Sequence, residues 1–295
     1  MCVFYVEGRV ARGRVPCALR NPQVFKPDDY ERFVASSKSD WRRVLYRLSE
    51  NVQSKITGAL FQRSCTMAEF KRFLDQTAQQ AIVDTLIELK LPIRLVSEEG
   101  DRVFGDGEYT LVADPVDGST NLSRGLHPAA TSLSVSETGL QSGVVAGIVK
   151  DLYTGETYYA ERGRGATLKG QPIRVSQPEG YNGALISIDI SKGPRLDRTR
   201  RLIEESLHLR SEGCSSMSLC QVASGFLDAH IDLRGIVRAT DVSAGLLILG
   251  EAGGVYAVDG VQGGDFPLTR GTHMRLVAAA SKELLSEINV LAGRP

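Results

Sequence analysis

The run Ala113-Asp114-Pro115-Val116-Asp117-Gly118-Ser119-Thr120-Asn121 demands a backbone event that few folds accommodate: a strand-like segment ends, turns on a rigid corner and opens a helix. Pro115 fixes φ and removes a donor, so the carboxylates of Asp114 and Asp117 can converge from opposite ends of the turn while the Val116 carbonyl points outward. Gly118 lets the backbone approach an anion closely, and Ser119 and Thr120 offer amides and hydroxyls at the helix start. Such a corner can hold hard metal ions beside a phosphate. Taken alone, it reads equally as an Asp-Pro turn closing a hairpin.

Two more acidic positions stand at similar junctions. Ile93-Arg94-Leu95-Val96 reads as a short strand running into Ser97-Glu98-Glu99-Gly100, which puts Glu98 at a strand end like Asp114. Thr240-Asp241-Val242-Ser243-Ala244-Gly245 opens an apolar helix that stops at Gly253-Gly254, so Asp241 falls at or beside its N-cap. Singly, Asp241 is read as a plain N-cap and Glu98 as a solvated turn. Convergence changes the physics, because each close carboxylate pair repels by about 4 kcal/mol at 4 Å in an effective dielectric near 20, more than any turn returns. Divalent cations remove that cost. Every candidate ligand is an oxygen donor, and His127, His208, His230 and His273 are isolated in the sequence, each a surface or packed residue, so Mg²⁺ or Mn²⁺ is favoured over Zn²⁺.

The hydrophobic pattern around these positions changes twice along the chain. Trp41, Val44, Leu45, Leu48 and Val52 predict an amphipathic helix over about residues 38–60. Ala78, Ala81, Ile82, Leu86 and Leu89 predict a second, with Asp75 just ahead of them where a cap or a site residue stands. Strand-like runs then follow over 109–113, 131–135, 144–149 and 157–160, and the short turns between them suggest an antiparallel sheet. Beyond Gly180 strands alternate with helices: strands over 184–188, 209–211 and 227–233, helices near 198–207, 215–224 and 242–251, strands near Val255 and Leu276, and a last helix from Lys282. This predicts a weakly ordered N-terminal extension (1–29), an α+β metal-binding half (30–178) and an α/β substrate-binding half (179–295), with the site between the two halves.

Composition excludes more than it identifies. Thirty-five basic and thirty-five acidic residues cancel, so neither a nucleic-acid nor an anionic-membrane footprint is present and any anion must be bound locally. No apolar stretch approaches eighteen residues, and residues 1–29 lack the continuous apolar segment of a secretory signal. Five scattered cysteines, Cys2, Cys17, Cys65, Cys214 and Cys220, suggest reduced thiols in the cytoplasm, with Cys214 and Cys220 packed in the core. No Cys is followed six positions later by Arg, and neither an Asp-x-Asp-x-Thr nor a Walker-type run occurs, so these other phosphoryl chemistries are set aside.

The order of the pieces resembles the inositol monophosphatase family of lithium-sensitive, Mg²⁺-dependent phosphomonoesterases. Ser97-Glu98-Glu99 is similar to its Gly-Glu-Glu, residues 114–121 to its Asp-Pro-Ile-Asp-Gly-Thr-Thr-Asn, residues 240–245 to its Trp-Asp-x-Ala-x-Gly, and Glu251-Ala252-Gly253-Gly254 to its Glu-Ala-Gly-Gly. Ser97 and the stretch Asp232-Leu233-Arg234-Gly235-Ile236-Val237-Arg238 look most like archaeal members, several of which also act on fructose 1,6-bisphosphate. The resemblance covers residues of about 38 to 290 and implies a layered αβαβα sandwich of the fructose-1,6-bisphosphatase/inositol monophosphatase type.

Carried across by position, the resemblance implies that Glu98, Asp114 and the Val116 carbonyl hold one Mg²⁺, and Asp114, Asp117 and Asp241 a second, with two or three ions per site. Two such ions about 3.5–4 Å apart can clamp an in-line phosphoryl transfer. The amides of Gly118 and Ser119 would bind phosphate oxygens, the Ser119 hydroxyl would orient the attacking water, and Glu98 or Asp75 would take its proton. Ser215 and Asp232 fall where relatives contact substrate, and Arg234 is a candidate for a second phosphate, although Arg234 and Arg238 read equally as cations solvated at a strand end. The segment Phe61 to Lys71 departs from the family's lid pattern, which leaves open whether Lys71 substitutes and whether a third ion is held. The expected substrates are inositol 1-phosphate and fructose 1,6-bisphosphate. A 3′-phosphoadenosine 5′-phosphate or NADP phosphatase is the alternative, and a catalytically weak regulatory or binding protein on the same scaffold stands as an alternative of another class. Homodimers and lithium inhibition are usual in the family.

Overall fold

The computed structural model describes residues 4–6, 9–11, 40–61, 66–192 and 196–293. Chain contacts separate Met1–Ser39 from Asp40–Pro295. Within the first unit, β1 (Phe4–Val6) and β2 (Arg9–Ala11) pair antiparallel, Phe4 opposite Ala11. The rest of the expectation for residues 1–29, together with Cys2, Cys17 and Cys65, lies outside the described residues.

The second unit begins with two long helices. Asp40 caps α1 (Trp41–Leu60) by accepting from the Arg43 amide at 3.2 Å, and the 3.6-residue apolar stripe Val44, Leu45, Leu48, Val52 and Ile56 is buried. The next helix, α2 (Met67–Leu89), starts earlier than the apolar pattern suggests. Thr66 and Glu69 form a reciprocal capping box ahead of the first apolar turn, so Asp75 is a mid-helix residue rather than a cap. Of the atypical segment 61–71, residues 62–65 lie outside the described residues and 67–71 are helical.

The strands β3 (Ile93–Ser97), β4 (Arg102–Phe104), β5 (Tyr109–Asp117), β6 (Ala130–Ser136), β7 (Val144–Asp151), β8 (Thr157–Glu161), β9 (Ala166–Leu168) and β10 (Gln171–Pro172) form one eight-stranded sheet in the order β10-β9-β8-β7-β6-β5-β3-β4. It is mixed, not antiparallel throughout. After β3 the chain doubles back as β4 and returns along the other edge of β3 as β5, so β3 and β5 run parallel with Ser97 beside Ala113. Pro115 lies inside β5 at a register irregularity between Asp114 and Asp117, where the missing donor leaves no ladder bond broken. The corner therefore comes at Gly118, just ahead of α3 (Ser119–Arg124).

The second sheet has the order β12-β11-β13-β16-β14-β15 and comprises β11 (Leu185–Ile188), β12 (His208–Arg210), β13 (Ala229–Arg238), β14 (Val255–Val258), β15 (Val261–Gln262) and β16 (His273–Ala279). Strands β12, β11 and β13 are parallel, while β16, β14 and β15 continue antiparallel. The helix α4 (Arg200–Glu205) precedes β12, α5 (Ser215–Ala223) precedes β13, and α6 (Ala239–Glu251) follows β13 without a loop. Strand β13 runs five residues past the expected Leu233, because a bulge between Asp232 and Val237 lets it resume pairing with β16.

Helices α5 and α6 lie between the sheets, burying Leu219, Leu246 and Ile248 against Val112 and Val149 of one sheet and Leu276 of the other. Strand β7 and α6 approach closely at Gly147, where a Cβ would stand 3.2 Å from the Ala244 backbone. Outside the second sheet, α4 and the C-terminal α7 (Lys282–Leu291) bury Leu202, Leu284 and Ile288 on Ile186 and Ile231. Helices α1 and α2 pack together and α1 covers the outer face of the first sheet. The result is the layered αβαβα sandwich that the family resemblance implied.

Candidate active site

Three internal segments converge: the end of β3, the end of β5 and the start of α6. Because β3 and β5 are parallel and in register, the Glu98 amide donates to the Ala113 carbonyl at 3.2 Å, which sets Glu98 beside Asp114. Asp241, in the first turn of α6, enters from the second sheet, its carboxylate held by the Arg238 amide at 3.1 Å and the Thr240 hydroxyl at 3.1 Å. Among the described residues, Glu98, Asp114 and Asp241 offer carboxylate oxygens all within 4.8 Å of one another. Asp117 completes the group from the end of β5, accepting from the Ser216 amide at 2.7 Å and from the Cys214 thiol at 3.3 Å.

The electrostatics follow from the geometry. Burial raises the Asp114 carboxyl well above its usual range, and Glu98, Asp117 and Asp241 raise it further. Burial and the Asp241 charge push Asp117 up to about 7 against the opposing Ser216 and Cys214 hydrogen bonds. Asp241 is raised by burial, partly offset by Arg238. These acids resist ionisation in the bare fold, and a hard cation shared among all-oxygen donors is the chemistry that ionises them together.

Helix α3 starts at the same place. Gly118 has φ of +79°, and a Cβ there would meet the Pro128 carbonyl at 2.8 Å, so only glycine brings this backbone to the cluster. Ser119 follows at the first helical position, close enough for its hydroxyl to favour the ionised form of Asp75, which accepts from Lys71 Nζ at 2.8 Å. Burial raises Asp75 against both of these contacts. Placing Asp75 within α2 therefore fixes it on a rigid element. Lys71, Gly118 and Ser119 border one cavity of about 350 Å³ together with Val116 and the carboxylate cluster.

The expected substrate contacts are placed less uniformly. Ser215 opens α5 and borders the cavity. Asp232 is fully buried beneath it, and Arg234 spans Asp232, Asp189 and Ser191. All five guanidinium N–H groups of Arg234 are taken: Nε by Asp232, Nη1 by the Ser191 carbonyl and hydroxyl, and Nη2 by Asp189 and Asp232. Neither Arg234 nor Arg238 is simply solvated, since Arg238 pairs with Glu98 and Asp241. Replacing Arg234 by Met would leave Asp189 and Asp232 buried without a counter-charge, and a loss of about 3–5 kcal/mol is expected in urea unfolding. A loss below about 1 kcal/mol would show that the clasp contributes little. Sequence reasoning missed the Cys214 thiol and Ser216 amide on Asp117, the Arg270 guanidinium that donates to the Glu98 carbonyl at 3.0 Å, and Lys192 at the cavity wall. Of the missed features only the Thr66-x-x-Glu69 box had a local signal.

A family model described as the inositol monophosphatase family matches residues 42–291. The chain belongs to the inositol monophosphatase family. A fructose-1,6-bisphosphatase/inositol-1-monophosphatase of Thermococcus kodakarensis is 31% identical over 242 residues, 82% of this chain and 86% of that one. The Nus factor SuhB of Pasteurella multocida is 31% identical over 225 residues, covering 73% and 80%. A solved Pyrococcus horikoshii structure described as having similarities to inositol-1 monophosphatase superposes with a TM-score of 0.70 at 24% identity, covering 86% of this chain and 98% of the other, which shows the shared fold. This inositol monophosphatase family member is a phosphoric monoester hydrolase of a metal-dependent class acting on small phosphorylated substrates. Among the described residues no helix is long and apolar enough to cross a membrane.

Proposed function

We propose that the protein hydrolyses inositol 1-phosphate, with fructose 1,6-bisphosphate as a second substrate, in a Mg²⁺-dependent reaction. The observation that carries this reading is the meeting of the carboxylates Glu98, Asp114 and Asp241 with the Gly118–Ser119 helix start at one cavity. Glu98, Asp114 and the Val116 carbonyl would hold one ion and Asp114, Asp117 and Asp241 another. Bound there, Mg²⁺ supplies a water activated for attack and neutralises the leaving alkoxide. The Gly118 and Ser119 amides hold the phosphate oxygens at the positive end of α3. The Ser119 hydroxyl, linked to Asp75, orients the attacking water and passes its proton to that carboxylate. Asp75 suits the task because burial has raised its proton affinity.

The cavity, about 350 Å³, lies at the small end of ligand sites and fits a six-carbon polyol or sugar phosphate better than a nucleotide. Retention of every site carboxylate favours catalysis over a purely regulatory role, whatever partners the SuhB-named relatives have. Phosphate release measured side by side with Mg²⁺ is expected from inositol 1-phosphate and fructose 1,6-bisphosphate, to cease with EDTA, and to be at least about tenfold slower for 3′-phosphoadenosine 5′-phosphate and NADP, a ratio within reach of ordinary pocket discrimination. Faster turnover of the nucleotides would transfer the assignment to them, and no turnover of any would end it.

A further inference from the structure

Arg238 places a cation directly among the site carboxylates. It ends β13 and caps α6, and its side chain reaches back over the carboxylates: Nη1 contacts Glu98 Oε1, and Nε lies 3.2 Å from Asp241 Oδ1. Glu98 and Asp241 are two of the three residues in the candidate metal cluster. The contrast with Arg234 is instructive. Both border the cavity, but Arg234 is 10% exposed and clamped by five acceptors outside the cluster, whereas Arg238 is 28% exposed and makes its side-chain contacts to the site carboxylates.

We propose that Arg238 is a tethered counter-cation that holds the carboxylate cluster before metal binds and is displaced by the first ion to enter. This rests on the reading that these carboxylates take divalent cations. The Arg238 N–H groups take up lone pairs of Glu98 and Asp241 that a small ion would otherwise share, and an ion held by these carboxylates at about 2.0–2.1 Å would stand close against the guanidinium charge. Like charges also repel across so short a distance. The first ion therefore binds against Arg238 and the second does not, which makes uptake of the two cooperative. Charge bookkeeping gives the displaced guanidinium a second task. Four site carboxylates and two divalent ions cancel, leaving the Arg238 charge uncompensated at a cavity that receives a phosphate dianion.

The test is calorimetric titration of Mn²⁺ into metal-stripped wild-type, Arg238→Gln and Arg238→Lys proteins, followed by steady-state kinetics on inositol 1-phosphate. Arg238→Gln is expected to bind its first Mn²⁺ about tenfold more tightly, the scale on which neighbours of metal ligands act, and to lose the cooperativity of the wild type. Its KM is expected to rise, so that cation and substrate affinities move in opposite directions, which general damage to the site would not produce. Arg238→Lys should fall between the two. First-ion affinity in Arg238→Gln equal to or weaker than wild type would overturn the proposal. If Arg238→Gln does not fold, the Mn²⁺-loaded wild-type crystal structure decides, and Arg238 still bonded to Glu98 there would be fatal. Absence of Mn²⁺ uptake by the wild type would instead remove the metal reading itself, and this proposal with it.

Discussion

Asp241→Asn is expected to lower Mg²⁺-dependent phosphate release by at least about a hundredfold while leaving the fold intact, since even neighbours of metal ligands contribute ten- to a hundredfold. Asn keeps the shape of the side chain and an oxygen that can accept from the Arg238 amide, so the first turn of α6 retains its cap. What it removes is a charge that a shared ion needs and that the bare fold resists, because Asp241 raises both Asp114 and Asp117. The metal-free variant should therefore melt no lower than wild type, and about 2–4 °C higher for each kcal/mol of repulsion relieved. Stabilisation by Mg²⁺ should largely disappear. Calorimetric melting with and without Mg²⁺, alongside the activity assay, reads both effects; unchanged activity would refute the metal role of Asp241.

Without bound metal, the stability of the fold is expected to fall as the pH rises. Asp117 titrates at about 7 in the fold, against about 3.9 in an unfolded chain. Between those values the folded protein keeps a proton that the unfolded one has released, so raising the pH draws the equilibrium toward unfolding. The stability is present in full below about pH 4 and is lost as the pH rises through 7, a change on the order of 4 kcal/mol for this group alone. Asp114, Asp241 and Asp75 are raised too and act in the same sense. Bound Mg²⁺ favours the ionised acids and should erase the slope. With EDTA the melting temperature should fall from pH 5 to pH 8, and with saturating Mg²⁺ the fall should vanish. A metal-free melting temperature that climbs over that interval would show that the acids are not crowded as described.

Much of the site was legible because its residues carry local instructions. The Asp114–Asn121 run encodes its corner through Pro115 and Gly118, and Asp241 lies where a helix of strong apolar pattern begins. The helices and most strands followed from periodicity, and departures occurred where tertiary contacts outweigh it. Strand β13 continues past Leu233 because β16 is there to pair with Val237 and Arg238. From its apolar neighbours Asp75 read as either a cap or a site residue, and the Thr66–Glu69 box two turns earlier, which controls the helix start, removes the first reading. The arginines could not be read at all, since a solvated guanidinium and one enclosed by Asp189 and Asp232 are identical in sequence.

The sequence by itself determined the chemical kind of each site group, the corner that carries Asp114 and Asp117, and the family to which the chain belongs. Only the tertiary structure decided that Glu98 would stand beside Asp114, since nothing local dictates that β5 returns parallel to β3 rather than antiparallel. It likewise decided that Arg238 would lie among the acids and Arg234 would be consumed by its neighbours. The physical reason is range. Backbone dihedrals, caps and apolar periods are set within a few residues, whereas repulsion among carboxylates and the counter-charges that relieve it depend on distances through space, between segments as far apart in the chain as Glu98 and Arg238.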